Sequence, residues 1–145
     1  QGAMRKYRIV SNQLTYSLIN RYIEVDQLLS FCQTNGVSVI AYSPLGHGLG
    51  NLAARDPGNV LGRVATAAGK TRAQIALNWC ISKNAVVAIP KASSVARVEE
   101  NCQASGWRLT AEQTQILEKH FRLRSRLEVG LRRAVGRVLQ ATGLR

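Results

Sequence analysis

The residues best placed to do chemistry are two cations on either side of a serine pair, just after a short apolar run. Residues 85–89 carry two valines and an isoleucine; Pro90, Lys91, Ala92, Ser93, Ser94 and then Arg97 follow. A continuous apolar run this short reads as a strand buried on both faces. Pro90 ends it, because proline has no ladder N–H. Ser93 or Ser94 can then cap a helix whose free N–H groups point toward the strand's carboxyl end. With Lys91 before that helix and Arg97 one turn in, the spacing makes a candidate anion site. An ordinary strand-to-helix loop with two solvated basic residues has the same spacing.

Two further clusters lie upstream. Tyr42, Ser43, Pro44, Leu45, Gly46, His47, Gly48, Leu49 and Gly50 follow an apolar run at 37–42. A glycine-rich loop after a strand lets a ligand approach the backbone, although spaced glycines alone are a weak signal. Tyr42, at the strand end, is either a core aromatic or a stacking platform, and spacing alone favours the core. Ser11, Asn12 and Gln13 form the polar end of a strand read at 8–14. They either face a ligand or simply meet water. His47 and His120 are the only histidines, too isolated for a metal site or a Ser-His-Asp arrangement. Cys32, Cys80 and Cys102 are far apart. They read as buried free thiols on helices, as expected in a reducing cytoplasm.

Helical patterns separate the strands. A helix is expected over 24–35, with Leu28, Leu29 and Cys32 inward and Gly36 closing it. Asp56 and Pro57 open another, whose inner stripe is Val60, Leu61, Val64, Ala65 and Ala68. Thr71 and Gln74 have capping-box spacing before a helix carrying Ile75, Ala76, Trp79 and Cys80 as far as Lys83. Thr110 and Gln113 repeat that signature before Ile116 and Leu117. Trp107 reads as packing. Strand-helix-strand order implies a parallel sheet with right-handed crossovers.

Three stretches in order carry a resemblance: Asn12-Gln13-Leu14-Thr15-Tyr16-Ser17-Leu18-Ile19-Asn20-Arg21, Val39-Ile40-Ala41-Tyr42-Ser43-Pro44-Leu45-Gly46, and the stretch from Val86 to Asn101. Together they resemble the sixth to eighth βα units of an aldo-keto reductase, from about Ser11 to Phe121. The resemblance implies an α/β fold, a partial (β/α)8 (TIM-type) barrel of about three parallel strands with flanking helices. It also implies an NADP(H) site at the strands' carboxyl ends. By position, Gln13 would contact the nicotinamide carboxamide and Tyr42 would stack on its ring. Ser43 and Leu45 would hold the pyrophosphate and its surroundings. Lys91 and Arg97 would take the 2′-phosphate, and Glu100 and Asn101 the adenine. Ala92 stands where the family often has a hydroxyl residue. The family's catalytic Asp, Tyr, Lys and His belong to the first half of the barrel, and no residue here maps onto them.

At 145 residues the chain has room for three such units and a tail, where a full barrel needs roughly 250. Apolar residues at 46% fit a folded domain, and no run approaches the roughly 20 residues that span a membrane. Residues 1–3 read as a cloning remnant, 4–121 as the part-barrel and 122–145 as a basic amphipathic extension. The net charge is +12, and the stretch from Phe121 onward holds seven arginines against one acid, Glu128. Such charge suits nucleic acid, an anionic surface or a phosphorylated ligand alike. The extension's leucines, Leu123, Leu127 and Leu131, favour a helix covering open strands. The fold reading therefore leads to a homo-oligomer, a dimer or larger. Functionally, three readings stand: an NADP(H)-binding half-barrel without its own reductase activity, a carbonyl oxidoreductase completed by another chain, or a non-catalytic interaction module.

Overall fold

The computed structural model describes residues 6–122. The element order is β1 (Ser11–Thr15), α1 (Tyr22–Val25), α2 (Leu28–Thr34), β2 (Ser38–Tyr42), α3 (Leu49–Ala54), α4 (Val60–Ala68), α5 (Arg72–Ile81), β3 (Val86–Ile89), α6 (Val95–Cys102) and α7 (Ala111–His120). The strands form one parallel sheet in the order β1-β2-β3. That is the expected part-barrel topology. The extension from residue 123 onward and the first three residues lie outside the described residues.

The sheet has a covered face and an open one. Register aligns Leu14 with Ala41 and Ala88, and Val39 with Val86. On that face Val39 and Ala41 are fully buried and Val86 nearly so. They pack with Tyr16, Leu18, Ile75, Ala76, Trp79, Cys80 and Leu117 in one core. The alternate residues, Gln13, Ile40, Tyr42, Val87 and Ile89, share the opposite face. There Val87 is 54% and Ile89 45% exposed. Burial of the third strand on both faces was expected and does not hold. Among the described residues no second layer lies over that face, and an apolar run cannot reveal whether one exists.

The helix layer follows its sequence signals closely. Thr71 and Gln74 close a reciprocal capping box on α5, and Thr110 and Gln113 another on α7. On α4, Val60, Leu61, Val64 and Ala65 are buried as the stripe implies. The expected start at Asp56 and Pro57 moves to Val60. Asp56 caps from outside, each carboxylate oxygen accepting one amide, from Val60 at 2.8 Å and Leu61 at 3.0 Å. The helix read over 24–35 is two, because Gln27 adopts a left-handed backbone (φ 57°) between α1 and α2. The α3 helix overlaps the end of the stretch read as a glycine-rich loop. Cys32 and Cys80 are buried, but Cys102 is exposed, because no residue of α6 is buried. Burial pushes the Cys80 thiol up to about 12, which leaves it unreactive at neutral pH. Trp107 packs against the core edge and donates Nε1–H to the Gln103 carbonyl at 2.9 Å.

Charged groups tie α7 to the core around Trp79. Arg21 and Lys83 each lie 5.0 Å from its ring centroid, and Lys83 pairs with Glu118 of α7. Burial works to raise the Glu118 pKa, but the Lys83 hydrogen bond and charge outweigh it and hold the carboxyl below its usual 4.5. A carboxyl with a depressed folded pKa contributes stability above its unfolded value and loses it as pH falls through the folded one. Urea midpoints should therefore decline as pH drops below about 4.5. Lys83→Met should flatten that acid decline; an unchanged slope would show that Glu118 does not contribute to it.

Candidate functional site at the carboxyl edge of the sheet

The three strands run parallel and in register, so their carboxyl ends form one rim. Thr15, Tyr42 and Ile89 are aligned across it, and Gln13 lies one row below with Ile40 and Val87. Side chains two apart share a face, so Gln13 and Tyr42 project to the same open side. Gln13 is exposed. Tyr42 is 39% exposed; the core position favoured by spacing alone is not realised, because its face of the sheet is uncovered.

Immediately after β2 the chain turns sharply. Ser43 has φ 52° and His47 φ 67°, left-handed conformations that cost a non-glycine residue about 1 kcal/mol or more. Ser43 Oγ and His47 Nδ1 are 3.3 Å apart. The turn is fixed from beneath. Gly46 has φ 62°, a conformation that favours glycine, and a Cβ there would come within 2.5 Å of Ile19 Cδ1, so that side chain would also have to shift. Asn51 of α3 donates to the Gly46 carbonyl at 2.6 Å. Leu45 is half-buried against the core. The result is a hydrogen-bonded turn that sets Ser43 directly after Tyr42 at the end of β2.

After β3, Pro90 and exposed Lys91 lead into α6. Of the two serines considered as caps, Ser94 is the one used: its Oγ accepts from the Arg97 amide at 3.4 Å. Arg97 projects outward, and its Nη1 donates to Glu100 Oε2 at 2.5 Å. The Glu100 carboxyl is held below its ordinary range, first by a hydrogen bond from Thr71 and then by Arg97. Asn101 is half-buried on the same helix. Arg97, Glu100 and Asn101 thus lie on α6 and Lys91 in the loop before it, while Gln13, Tyr42, Ser43 and Leu45 lie on or beside the first two strands.

Two buried residues of α5 position α6, and neither was singled out for this from the sequence. Gln74 closes its capping box and also donates to the Glu100 carbonyl and to Gln103 Oε1, both at 3.2 Å. Asn78 donates to the carbonyls of Ala104 and Trp107, both at 2.9 Å, and accepts from the Leu109 amide at 3.2 Å. Polar residues on the inward stripe of an otherwise apolar helix were the available signal, since buried amides need partners. His47 was also left out of the site. Its four-residue spacing from Ser43 across a glycine turn was the clue. Among the described residues there is no group of three or more metal-ligating side chains, and no helix is long and apolar enough to cross a membrane.

The sequence model of the aldo/keto reductase family matches residues 1–122. The chain belongs to the aldo/keto reductase family. Chloroplastic pyridoxal reductase of Arabidopsis thaliana is 34% identical, the match covering 76% of this chain and 36% of the relative. Methylglyoxal reductase YeaE of Escherichia coli is 36% identical over 77% of this chain and 39% of its own length. Among solved structures, the thermostable aldo-keto reductase Tm1743 superposes with a TM-score of 0.73 at 38% identity, covering 79% of this chain and 41% of that one. The aldo/keto reductase of Klebsiella pneumoniae in complex with NADP and acetate gives 0.68 at 34% identity, covering 80% and 41%. The chain therefore spans about two fifths of the length of these family members. The donor set at the rim suits a phosphorylated dinucleotide. A solvent-facing aromatic ring can take a planar heterocycle, and two exposed cations beside a capped helix N-terminus can take a phosphate.

Proposed function

We propose that this chain is the NADP(H)-binding part of an aldo/keto reductase barrel and does not reduce carbonyl compounds on its own. The observation that supports the reading is an exposed tyrosine ring followed by a strained serine turn at the carboxyl end of β2, with two exposed cations in and after the loop that leaves β3. When bound, NADPH supplies a hydride. The chain's own part is to bind and orient. Gln13 would hold the carboxamide and Tyr42 would stack on the nicotinamide. The Ser43–Leu45 turn would meet the pyrophosphate, Lys91 and Arg97 the 2′-phosphate, and Glu100 and Asn101 the adenine. None of its residues corresponds to the family's Asp, Tyr, Lys and His tetrad, whose general acid step typically contributes 10²–10⁴-fold.

Fluorescence titration with NADPH, paired with an absorbance assay on small aldehydes, tests both halves of this reading. Saturable NADPH binding without carbonyl turnover is expected. Turnover that survives repurification from a reductase-deficient host would show that the missing acid is supplied within this chain. Absence of saturable binding would remove the cofactor assignment.

A further inference from the structure

A cleft of ≈ 390 Å³ opens between the end of α5 and the loop joining α6 to α7, lined by Ile81 and Ser82 on one side and by Ser105, Gly106, Trp107 and Arg108 on the other. Small-molecule pockets run from roughly 300 to 1,000 Å³. Because α5 ends at Ile81 and β3 begins at Val86, the cleft lies toward the amino-terminal ends of the strands, away from the carboxyl rim. Its loop wall is fixed in place. Asn78 is 1% exposed and holds the Ala104 and Trp107 carbonyls and the Leu109 amide. The indole N–H of Trp107 is taken by the Gln103 carbonyl.

The polar groups of this wall are unevenly satisfied. Arg108 is exposed, and its side chain makes no hydrogen bond or ion pair among the described residues. The amides of Gly106, Trp107 and Arg108 find no backbone acceptor there either. Gly106 takes φ 83°, and successive free amides beside a left-handed residue are a recurrent way to hold an anion. No aspartate or glutamate lines the cleft. Ser82 and Ser105 give their protons to the Trp79 and Cys102 carbonyls at 2.7 and 2.8 Å, so their oxygens are left to accept from a ligand hydroxyl. Ile81 and the Trp107 ring add apolar wall.

We infer that this cleft binds a small hydroxylated organic anion. Its carboxylate or phosphate meets the Arg108 fork and the loop amides, its carbon body lies against Ile81 and Trp107, and its hydroxyl donates to a serine oxygen. The cleft shares no residue with the dinucleotide assignment, so either can fail without the other.

Amide NMR spectra of the full chain, titrated with 4-hydroxybenzoate, test this. The signals of Gly106, Trp107, Arg108 and the Trp107 indole should shift together and saturate, while those of Lys91 and Arg97 stay in place. Arg108→Gln should weaken binding by about 10- to 100-fold; Arg108→Lys, which keeps the charge but not the fork, should fall between. Both variants should keep the thermal midpoint, since the side chain has no partner to lose. The neutral 4-hydroxybenzyl alcohol should bind at least about tenfold more weakly. Comparing phenyl phosphate with benzoate tells which acidic head the site prefers, and binding of either at these signals supports the inference. No saturable shift at the loop, shifts that Arg108→Gln leaves unchanged, equal affinity for the neutral alcohol, or shifts confined to Lys91 and Arg97 would each overturn it. Equal affinity for benzoate and 4-hydroxybenzoate would overturn its hydroxyl part.

Discussion

Arg21→Leu should lower the unfolding free energy by about 3–5 kcal/mol, the usual cost of removing one partner from a buried ion pair. Arg21 is 9% exposed. Its Nε and Nη2 donate to Glu24 at 2.9 and 2.7 Å, and Nη1 reaches the Phe121 carbonyl at 3.3 Å, where α7 ends. The Tyr16 hydroxyl donates to the same Glu24 at 2.6 Å, so one carboxylate serves two buried donors. Without Arg21 the Glu24 charge keeps only that phenol. Adding Glu24→Gln should recover part of the loss, because the uncompensated charge goes with it. Urea denaturation followed by tryptophan fluorescence measures both variants. A loss under about 1 kcal/mol would place the pair with solvated surface bridges and make Trp79 packing the main tie to α7.

Arg97→Ala should weaken NADPH binding by about 10- to 100-fold and leave NADH nearly unchanged. A charge-assisted bond to an anion is worth about 1.5–3 kcal/mol, and 1.4 kcal/mol is tenfold. Arg97 begins in its pair with Glu100, which a phosphate must compete with, so the lower end of the range is expected. The side chain is 59% exposed, and substitution there should move stability by no more than about 0.5 kcal/mol. Fluorescence titrations with the two cofactors separate the outcomes. Equal losses would take Arg97 away from the 2′-phosphate and leave Lys91 as its cation.

What the sequence made legible was whatever depends on local chemistry. Both capping boxes form, because a threonine followed three residues later by glutamine satisfies two orphan amides wherever a helix can start. The inward stripes of α4 and α5 were readable from their 3.6-residue period, and the parallel order from alternation of strand and helix. What failed to show depends on distant packing. Gln27 breaks a helix at a residue type with ample helix propensity, so no local signal marks it. Cys102 lies on α6, whose apolar Val95 and Val98 are themselves exposed at 74% and 50%; residue type misled where no neighbour covers the helix. At the candidate site, the residues named from the family resemblance lie on the carboxyl rim and α6. The links that hold α6 in place, from Gln74 and Asn78, could not be read from spacing alone, because their partners lie 26 to 31 residues away.

The two-sided apolar character of β3 has a consequence for how its register is encoded. Val86 points into the core and Val87 away from it, yet the two residues are chemically identical. A slip of one position would exchange valine for valine with little hydrophobic penalty, although it would set Ile89 where Ala88 packs level with fully buried Ala41. Within β3 only that difference in size marks the alignment; the flanking turn adds to it. Ala85 takes φ 57°, the Val86 amide bonds back to the Lys83 carbonyl at 3.3 Å, and the Val39 amide takes the Ala85 carbonyl at 2.7 Å. Gln33 Nε2 donates to the Asn84 carbonyl at 2.8 Å from the end of α2. Strand alignment is thus anchored partly outside the strand, by the hydrogen bonds that the turn makes through Lys83, Asn84 and Ala85.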